Sequence, residues 1–364
     1  MTHDPERSAP AHSPKRPPER TFERILITGY KGFVAPHLAA ACAQRYPDAQ
    51  LFGLVHRASQ PPLASLQATL TQLTQGTADA QGGQTPLPIV AELEGDITDG
   101  ARLRQVLHEV RPDLIFHLAA VSSVAASWAD PANMLRVNAG GFIQLVEALR
   151  VEAPTARVVV IGSGEQYGLV RPEENPVSEE TLPRPANPYA VSKVAQDLYA
   201  FQYHRAYGLD LVRVRAFNHF GPGQSPDFVL ASFARQIAQM EAGQVASTLL
   251  VGNLSSQRDF LPVSDVARAY VALAERGRAG EAYNVGSGVA RSIESLLQAL
   301  LGLARVTVDV RVDPSRMRPV DVPVICADTS KLRRDTGWLP SAPLEDTLRV
   351  TLDYWRAVVQ LRQA

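Results

Sequence analysis

Thr28-Gly29-Tyr30-Lys31-Gly32-Phe33-Val34-Ala35 stands between a short apolar run, Arg24 to Thr28, and a stretch of helical composition, Val34 to Arg45. A second apolar run, Leu51 to Val55, follows, so the unit reads strand, turn, helix, strand. Within the turn Gly29 permits the tight bend, Gly32 lets backbone approach a pyrophosphate, and small Ala35 allows close packing of the helix. The N–H groups where Phe33 and Val34 open the helix suit phosphate oxygens. Spacing alone fits ordinary turn punctuation as well as it fits a dinucleotide. The flanking β-α-β context decides for the dinucleotide.

Working outward, strand-like runs recur at Pro88 to Ala91, Leu114 to Leu118, Val158 to Gly162 and Leu211 to Arg215. Helix-length segments such as Ala101 to Val110 and Ala139 to Arg150 lie between them. This alternation predicts an α/β fold, a Rossmann-type doubly wound parallel sheet. From about Asn218 the pattern changes to longer loops with short elements, among them Phe228 to Ala242, Val263 to Ala274 and Ile293 to Leu303. The expected organisation is a disordered leader over 1–23, a mainly dinucleotide-binding domain over 24–217, and a smaller lobe over 218–364 with segments returning to the first domain. A Gly- and Pro-rich stretch at 76–88 reads as a surface loop.

Composition excludes several classes. The 364 residues carry 36 Lys plus Arg against 37 Asp plus Glu, a formal charge of −1, so no global field recruits nucleic acid or an anionic membrane. No run approaches the roughly 18 apolar residues of a membrane span, and the leader lacks a signal-peptide core. Cys42 and Cys326 fit neither a disulfide framework nor a metal-ligand spacing and suit a reducing cytoplasm.

The chemistry lies in two further stretches. Asn187-Pro188-Tyr189-Ala190-Val191-Ser192-Lys193 begins a helix, with Asn187 as N-cap and Pro188 in the first position. Tyr189 and Lys193 lie four apart on one face. A free tyrosine, with a pKa of about 10, is a poor acid-base group at neutral pH unless a cation stabilises its phenolate, and Lys193 can supply that cation. Many helices carry such a pair by chance. Ser163-Gly164-Glu165-Gln166-Tyr167-Gly168 changes the balance, because Ser163 follows a strand and ligands of open α/β sheets bind beyond strand ends. Its hydroxyl can hold a substrate oxygen beside Tyr189. Gly95-Asp96-Ile97 follows a short run and can bring the Asp96 carboxylate, with Ile97 beside it, near an adenine edge, and Leu118-Ala119-Ala120 offers small residues against which a nicotinamide can lie. His117 reads as a structural residue.

Taken together these stretches resemble the extended short-chain dehydrogenase/reductase family, the NAD-dependent epimerases and dehydratases of nucleotide sugars, from Arg24 to about Arg356. Arg215-Ala216-Phe217-Asn218-His219-Phe220-Gly221-Pro222-Gly223-Gln224-Ser225-Pro226, Val251-Gly252-Asn253-Leu254-Ser255, Arg258-Asp259-Phe260, and Arg316-Met317-Arg318-Pro319 with Asp321-Val322-Pro323 are most similar to the GDP-4-keto-6-deoxy-D-mannose reductases. The resemblance implies a catalytic set of Ser163, Tyr189 and Lys193 with Glu165, and a sugar-nucleotide grip from Asn218, Arg258 and Arg318. Ser122, Ser123 and Asp321 join the implied substrate contacts. It further implies a homodimer formed through helices such as Ala139 to Arg150 and Asn187 to Tyr207. The turn departs from the usual pattern by ending in Ala35-Pro36, and Gly164 stands where a small hydroxyl residue is common.

The expected reaction is reduction of the keto group of a GDP-linked 4-keto-6-deoxy sugar, with GDP-D-rhamnose as product. A 4,6-dehydratase using Glu165 is the alternative, and a dinucleotide sensor without catalysis is remote because Tyr189 and Lys193 are both present. No acidic residue ends the second strand at Leu54-Val55-His56-Arg57, so Arg57, helped by Lys31, is expected to favour NADP(H), with NAD(H) also possible.

Overall fold

The computed structural model describes residues 20–56, 90–316 and 322–361. β1 (Arg24–Thr28) leads through the glycine turn into α1 (Val34–Arg45), β2 (Gln50–Val55) and β3 (Val90–Glu94). Next, α2 (Gly100–Val110) is capped by Asp99, whose carboxylate accepts the Arg102 N–H at 3.0 Å, and the chain returns as β4 (Leu114–His117). Short helices α3 (Val124–Ala129) and α4 (Pro131–Leu135) run into a π turn at Arg136–Gly140 and then α5 (Gly141–Glu152). β5 (Arg157–Ser163), α6 (Pro188–Tyr207) and β6 (Leu211–Ala216) follow. Beyond them stand β7 (Asn218–Phe220), α7 (Val229–Glu241), β8 (Thr248–Val251), β9 (Gln257–Pro262), α8 (Val263–Arg276), β10 (Ala282–Val285) and β11 (Ala290–Ser292). The last elements are α9 (Ile293–Leu301), β12 (Asp309–Val312), β13 (Val324–Ile325), α10 (Ser330–Thr336) and α11 (Leu344–Leu361).

Seven strands form one sheet in the order β10-β6-β5-β4-β1-β2-β3, every neighbouring pair parallel. A parallel sheet is covered on both faces, which is why its strands are near-continuous apolar runs. Ile25, Ile27, Phe116, Val159 and Val214 pack in one layer with α1 and α8, whereas Leu26, Ile115, Val158 and Val160 pack in another with α2, α5 and α6. β1 has β2 on one side and β4 on the other, so the connections diverge here and open a crevice at the carboxyl ends. The second body centres on β9, paired with β7, β11 and β13, and on a core of Phe220, Leu230, Ile237, Leu297 and Trp355.

Three boundaries differ from the sequence reading. Ordered chain begins before Arg24: Phe22 is buried edge-to-face on Tyr46, and the Glu23 N–H donates to Asp113 at 2.7 Å. The strand expected at Pro88 to Ala91 runs instead over Val90–Glu94, an outer strand half open to water whose hydrophobic pattern is weak. The helix expected from Ala139 starts at Gly141, because the π turn before it presents Asn138 inward to bond backbone. The leader up to residue 19 and the 76–88 stretch lie outside the described residues.

Candidate active site

A cleft of about 1300 Å³ opens over the carboxyl ends of β1, β4, β5 and β6 and extends between them and the second body. At its floor Gly29 adopts φ +71°, and a Cβ there would lie 2.8 Å from the Ala119 backbone. Only glycine lets the turn and the segment after β4 approach so closely. Gly32 is similarly tight, a Cβ there meeting the Gly29 carbonyl oxygen at 3.1 Å. No side chain caps α1 at Phe33, and with the Ala35 N–H donating to the Gly32 carbonyl at 3.3 Å it is the Phe33 and Val34 N–H groups that suit an anionic ligand. Leu118, Ala119, Ala120, Asp96 and Ile97 line the same wall. The Asp96 carboxylate is fixed by the Thr98 N–H at 2.8 Å and hydroxyl at 2.9 Å. Glycine pinch, uncapped helix and fixed carboxylate fit a dinucleotide.

Lys31 also lines the cleft, but its ammonium is ion-paired with Glu92 of β3. A 2′-phosphate would have to compete with Glu92 for this ammonium. Arg57 lies outside the described residues.

The proton-transfer groups meet where β5 ends and α6 begins. Asn187 caps α6, its side-chain oxygen accepting the Ala190 N–H at 2.8 Å, and its amide donates to Glu165 Oε2 at 3.2 Å. Ser163, Glu165, Tyr189 and Lys193 all line the cleft. Burial pushes the Tyr189 phenol up to about 12, the nearby Ser163 hydroxyl opposing the rise and Glu165 adding to it. Lys193 is 3% exposed and donates to the Ile161 carbonyl at 2.9 Å and to Gln196 Oε1 at 2.8 Å, while burial pulls its ammonium down to about 7. Lys193 was expected to supply the cation that stabilises a Tyr189 phenolate; in this structure its ammonium is bonded to these two oxygens, one helical turn from the buried Tyr189 phenol. Both shifts follow from removing charge from water.

Asn138 fixes this arrangement from behind. Its oxygen accepts the Val121 N–H at 2.8 Å, and its amide donates to the Val121 carbonyl at 3.0 Å and to Ser192 Oγ at 2.9 Å. Ser192 in turn donates to the Tyr189 carbonyl at 2.7 Å. His117 is structural, buried, with Nδ1 bonded to the Thr28 hydroxyl at 3.0 Å.

At the far end the cleft is lined by Asn218 of β7, Arg258 of β9, Ser122 and Ser123. Ser123 also caps α3 by accepting the Ala126 N–H at 3.1 Å. Arg258 is 7% exposed and donates to the Gln257 carbonyl at 2.9 Å. Arg318 and Asp321 lie outside the described residues. Their neighbour Arg316 lines the cleft and was not singled out, although it opens the same Arg-Met-Arg-Pro stretch. Gly252 explains how it fits, because a Cβ there would lie 2.7 Å from the Arg316 carbonyl oxygen. Arg136 and Tyr270 were likewise missed. Neither stands in a recognisable motif.

A profile of the GDP-mannose 4,6-dehydratase family matches residues 26–351. The GDP-6-deoxy-D-mannose reductase of Pseudomonas aeruginosa is 33% identical over 93% of this chain and 99% of its own. The solved structure of RMD from Pseudomonas aeruginosa complexed with NADPH superposes with a TM-score of 0.75 at 33% identity, covering 92% of this chain and 99% of that one. The UDP-glucose 4-epimerase of Thermus thermophilus in complex with NAD gives a TM-score of 0.75 at 29% identity over 92% and 99%. With a matching profile from residue 26 to 351 over this cleft, the chain belongs to the GDP-mannose 4,6-dehydratase family, whose members are NAD(P)-dependent enzymes of nucleotide sugars.

Proposed function

We propose that this protein reduces the 4-keto group of GDP-4-keto-6-deoxy-D-mannose to a GDP-6-deoxyhexose, with GDP-D-rhamnose as the expected product. One observation carries the reading: Ser163, Tyr189 and Lys193 line the same cleft, where β5 ends and α6 begins. Reduction of a ketone needs an acid at the oxygen, and a buried neutral phenol is in the form that donates. A bound reduced nicotinamide supplies hydride to C4. Ser163 holds the keto oxygen by hydrogen bonding, Tyr189 gives that oxygen its proton, and the Lys193 ammonium, one helical turn away, stabilises the phenolate left behind. Asn218, Arg258 and Arg318 grip the sugar nucleotide, with Ser122, Ser123 and Asp321 beside the sugar. Planar guanidinium groups suit a diphosphate because they bond two oxygens at once and stay charged. Arg316, on the cleft wall, adds a further cation to this end.

The relative that is 33% identical over nearly its full length supports the reductase assignment. A relative solved with NADPH supports NADP(H) as the preferred cofactor, and the assignment then falls to Arg57, since Lys31 is engaged with Glu92. NAD(H) is also accepted in this reading. A homodimer in the cytoplasm completes it, supported by Val191, Leu198, Tyr199 and Phe201 standing exposed on α6. Among the described residues no helix is long and apolar enough to cross a membrane.

A dehydratase is the second reading, favoured by Glu165 on the cleft wall with its carboxylate fixed by Asn187. It takes hydride from C4 and returns it at C6, so no cofactor is consumed. The test is stoichiometry with purified protein, the keto sugar and reduced cofactor. Loss of nicotinamide absorbance in step with the GDP-6-deoxyhexose is expected. Conversion of GDP-mannose to the keto sugar without net cofactor loss, and with the keto sugar left unreduced, would establish the dehydratase instead.

A further inference from the structure

Tyr270 lies in the middle of α8, on the sheet face that carries α1, and none of its surface reaches solvent. Among the described residues its hydroxyl has no hydrogen-bond partner. Other buried polar atoms share that condition, including those of His117, Gln166, Trp338 and Trp355. Tyr270 differs from them in one respect: it is on the wall of the catalytic cleft, and they are not. The apolar cluster it belongs to takes in Ala216 of β6 and, packed against it, Ile161 of β5, whose carbonyl accepts from Lys193.

Phenylalanine would fill the same apolar space without burying a polar group. An orphan phenol is therefore worse than phenylalanine in the empty protein, unless something that enters the cleft supplies the partner. We infer that the Tyr270 hydroxyl is a hydrogen-bonding contact for the nicotinamide end of the cofactor. Two features put it at that end. Its apolar cluster reaches Ile161 and Ala216, at the strand ends beside Lys193 and Ser163, and it is near enough to Tyr189 for a charge there to act on it. The nicotinamide carboxamide, which both donates and accepts, is the neutral polar group that a phenol in an apolar wall can satisfy. Burial keeps the phenol neutral, well above its ordinary range, so it acts as donor or acceptor and not as an anion.

The inference rests on the cofactor part of the proposed reading and is tested without any sugar, so it stands or falls separately from the choice of substrate. Calorimetry on the full chain compares wild type with Tyr270→Phe for NADPH, NADH and ADP-ribose, the last of which lacks the nicotinamide. Both reduced cofactors should bind the variant about five- to twentyfold more weakly, the size of one lost hydrogen bond in a dry site. ADP-ribose should bind both proteins equally. The thermal midpoint of the ligand-free variant should equal or exceed that of wild type, because the hydroxyl it lacks had no partner. Unchanged affinity for both reduced cofactors would overturn the assignment. Equal losses for ADP-ribose would move the contact to the other end of the cofactor and overturn it too, and a lowered midpoint in the free variant would mean that the hydroxyl was already bonded within the fold.

Discussion

Replacing Lys193 by methionine should make the ligand-free protein more stable and the enzyme inactive. The ammonium is 3% exposed, and burial brings its pKa from 10.5 to about 7. Between those values the unfolded chain holds a proton that the folded chain lacks, so wild-type stability rises with pH across this window by about 1.4 kcal/mol per pH unit. At pH 7 and below the full burden is present, about 5 kcal/mol for a shift of that size. Above 10.5 it has gone. Methionine keeps most of the volume and removes the charge. It also removes the bonds to the Ile161 carbonyl and Gln196 Oε1, worth about 1 kcal/mol each, although Gln196 Nε2 still donates to Ile161 at 3.3 Å. Lys193→Met should therefore gain about 2–4 kcal/mol at pH 7 and nothing, or a small loss, near pH 10.5. Urea unfolding of the ligand-free protein at both pH values measures this. A variant that is less stable at pH 7, or shifted equally at both, refutes the account of Lys193 as a cation held in a dry site for the reaction.

Two further predictions concern the reaction. Tyr189→Phe removes the acid while Ser163 keeps the Glu165 N–H at 3.2 Å as a partner, so turnover should fall about 10²- to 10⁴-fold with cofactor affinity intact by titration; a fall of less than about tenfold would remove Tyr189 from its role. Arg57→Ala should lower kcat/KM for NADPH and leave that for NADH nearly unchanged, and a strong NADH preference already present in wild type and kept in the variant would sink the NADP(H) assignment.

Local chemistry with a strong period was legible without coordinates. The turn at Gly29 and Gly32, the capped start of α6 at Asn187-Pro188, and the strands from Arg24, Leu114 and Leu211 each combine a backbone requirement with an apolar run, and the parallel sheet follows from their alternation. What escaped was decided across the fold. Tyr270 sits in a helix whose apolar stripe gives no reason to separate it from its neighbours, and only the packing of α8 on the sheet brings it to the cleft. The partner of Lys31 is Glu92, far along the chain, so a free cation and a paired one read alike in sequence. Ligand-free Lys193 turns to Ile161 and Gln196 for a similar reason: spacing brings Tyr189 and Lys193 to one face but says nothing of the oxygens already there.

The far edge of the large sheet is β10, which pairs with β6 only after the chain has left to build β7, β8, β9, α7 and α8. The second body is thus built from two stretches of chain, β7, α7, β8 and β9 before β10 and β11, α9, β12, β13 and α11 after it, with β10 between them anchored in the first. Cutting after Ala216 would leave the β6 edge bare and strip Asn284 from the Tyr167 hydroxyl, which it meets at 2.6 Å. A ribosome delivers the strand that finishes the large sheet between the two stretches that make the second body. Closing so long a loop adds entropy slowly with length but places a non-local pairing late in assembly. Recombining the two bodies of two relatives at a single crossover would therefore mix edge strands, and an exchange of the second body alone has to move both the stretch between β6 and β10 and the stretch after β10.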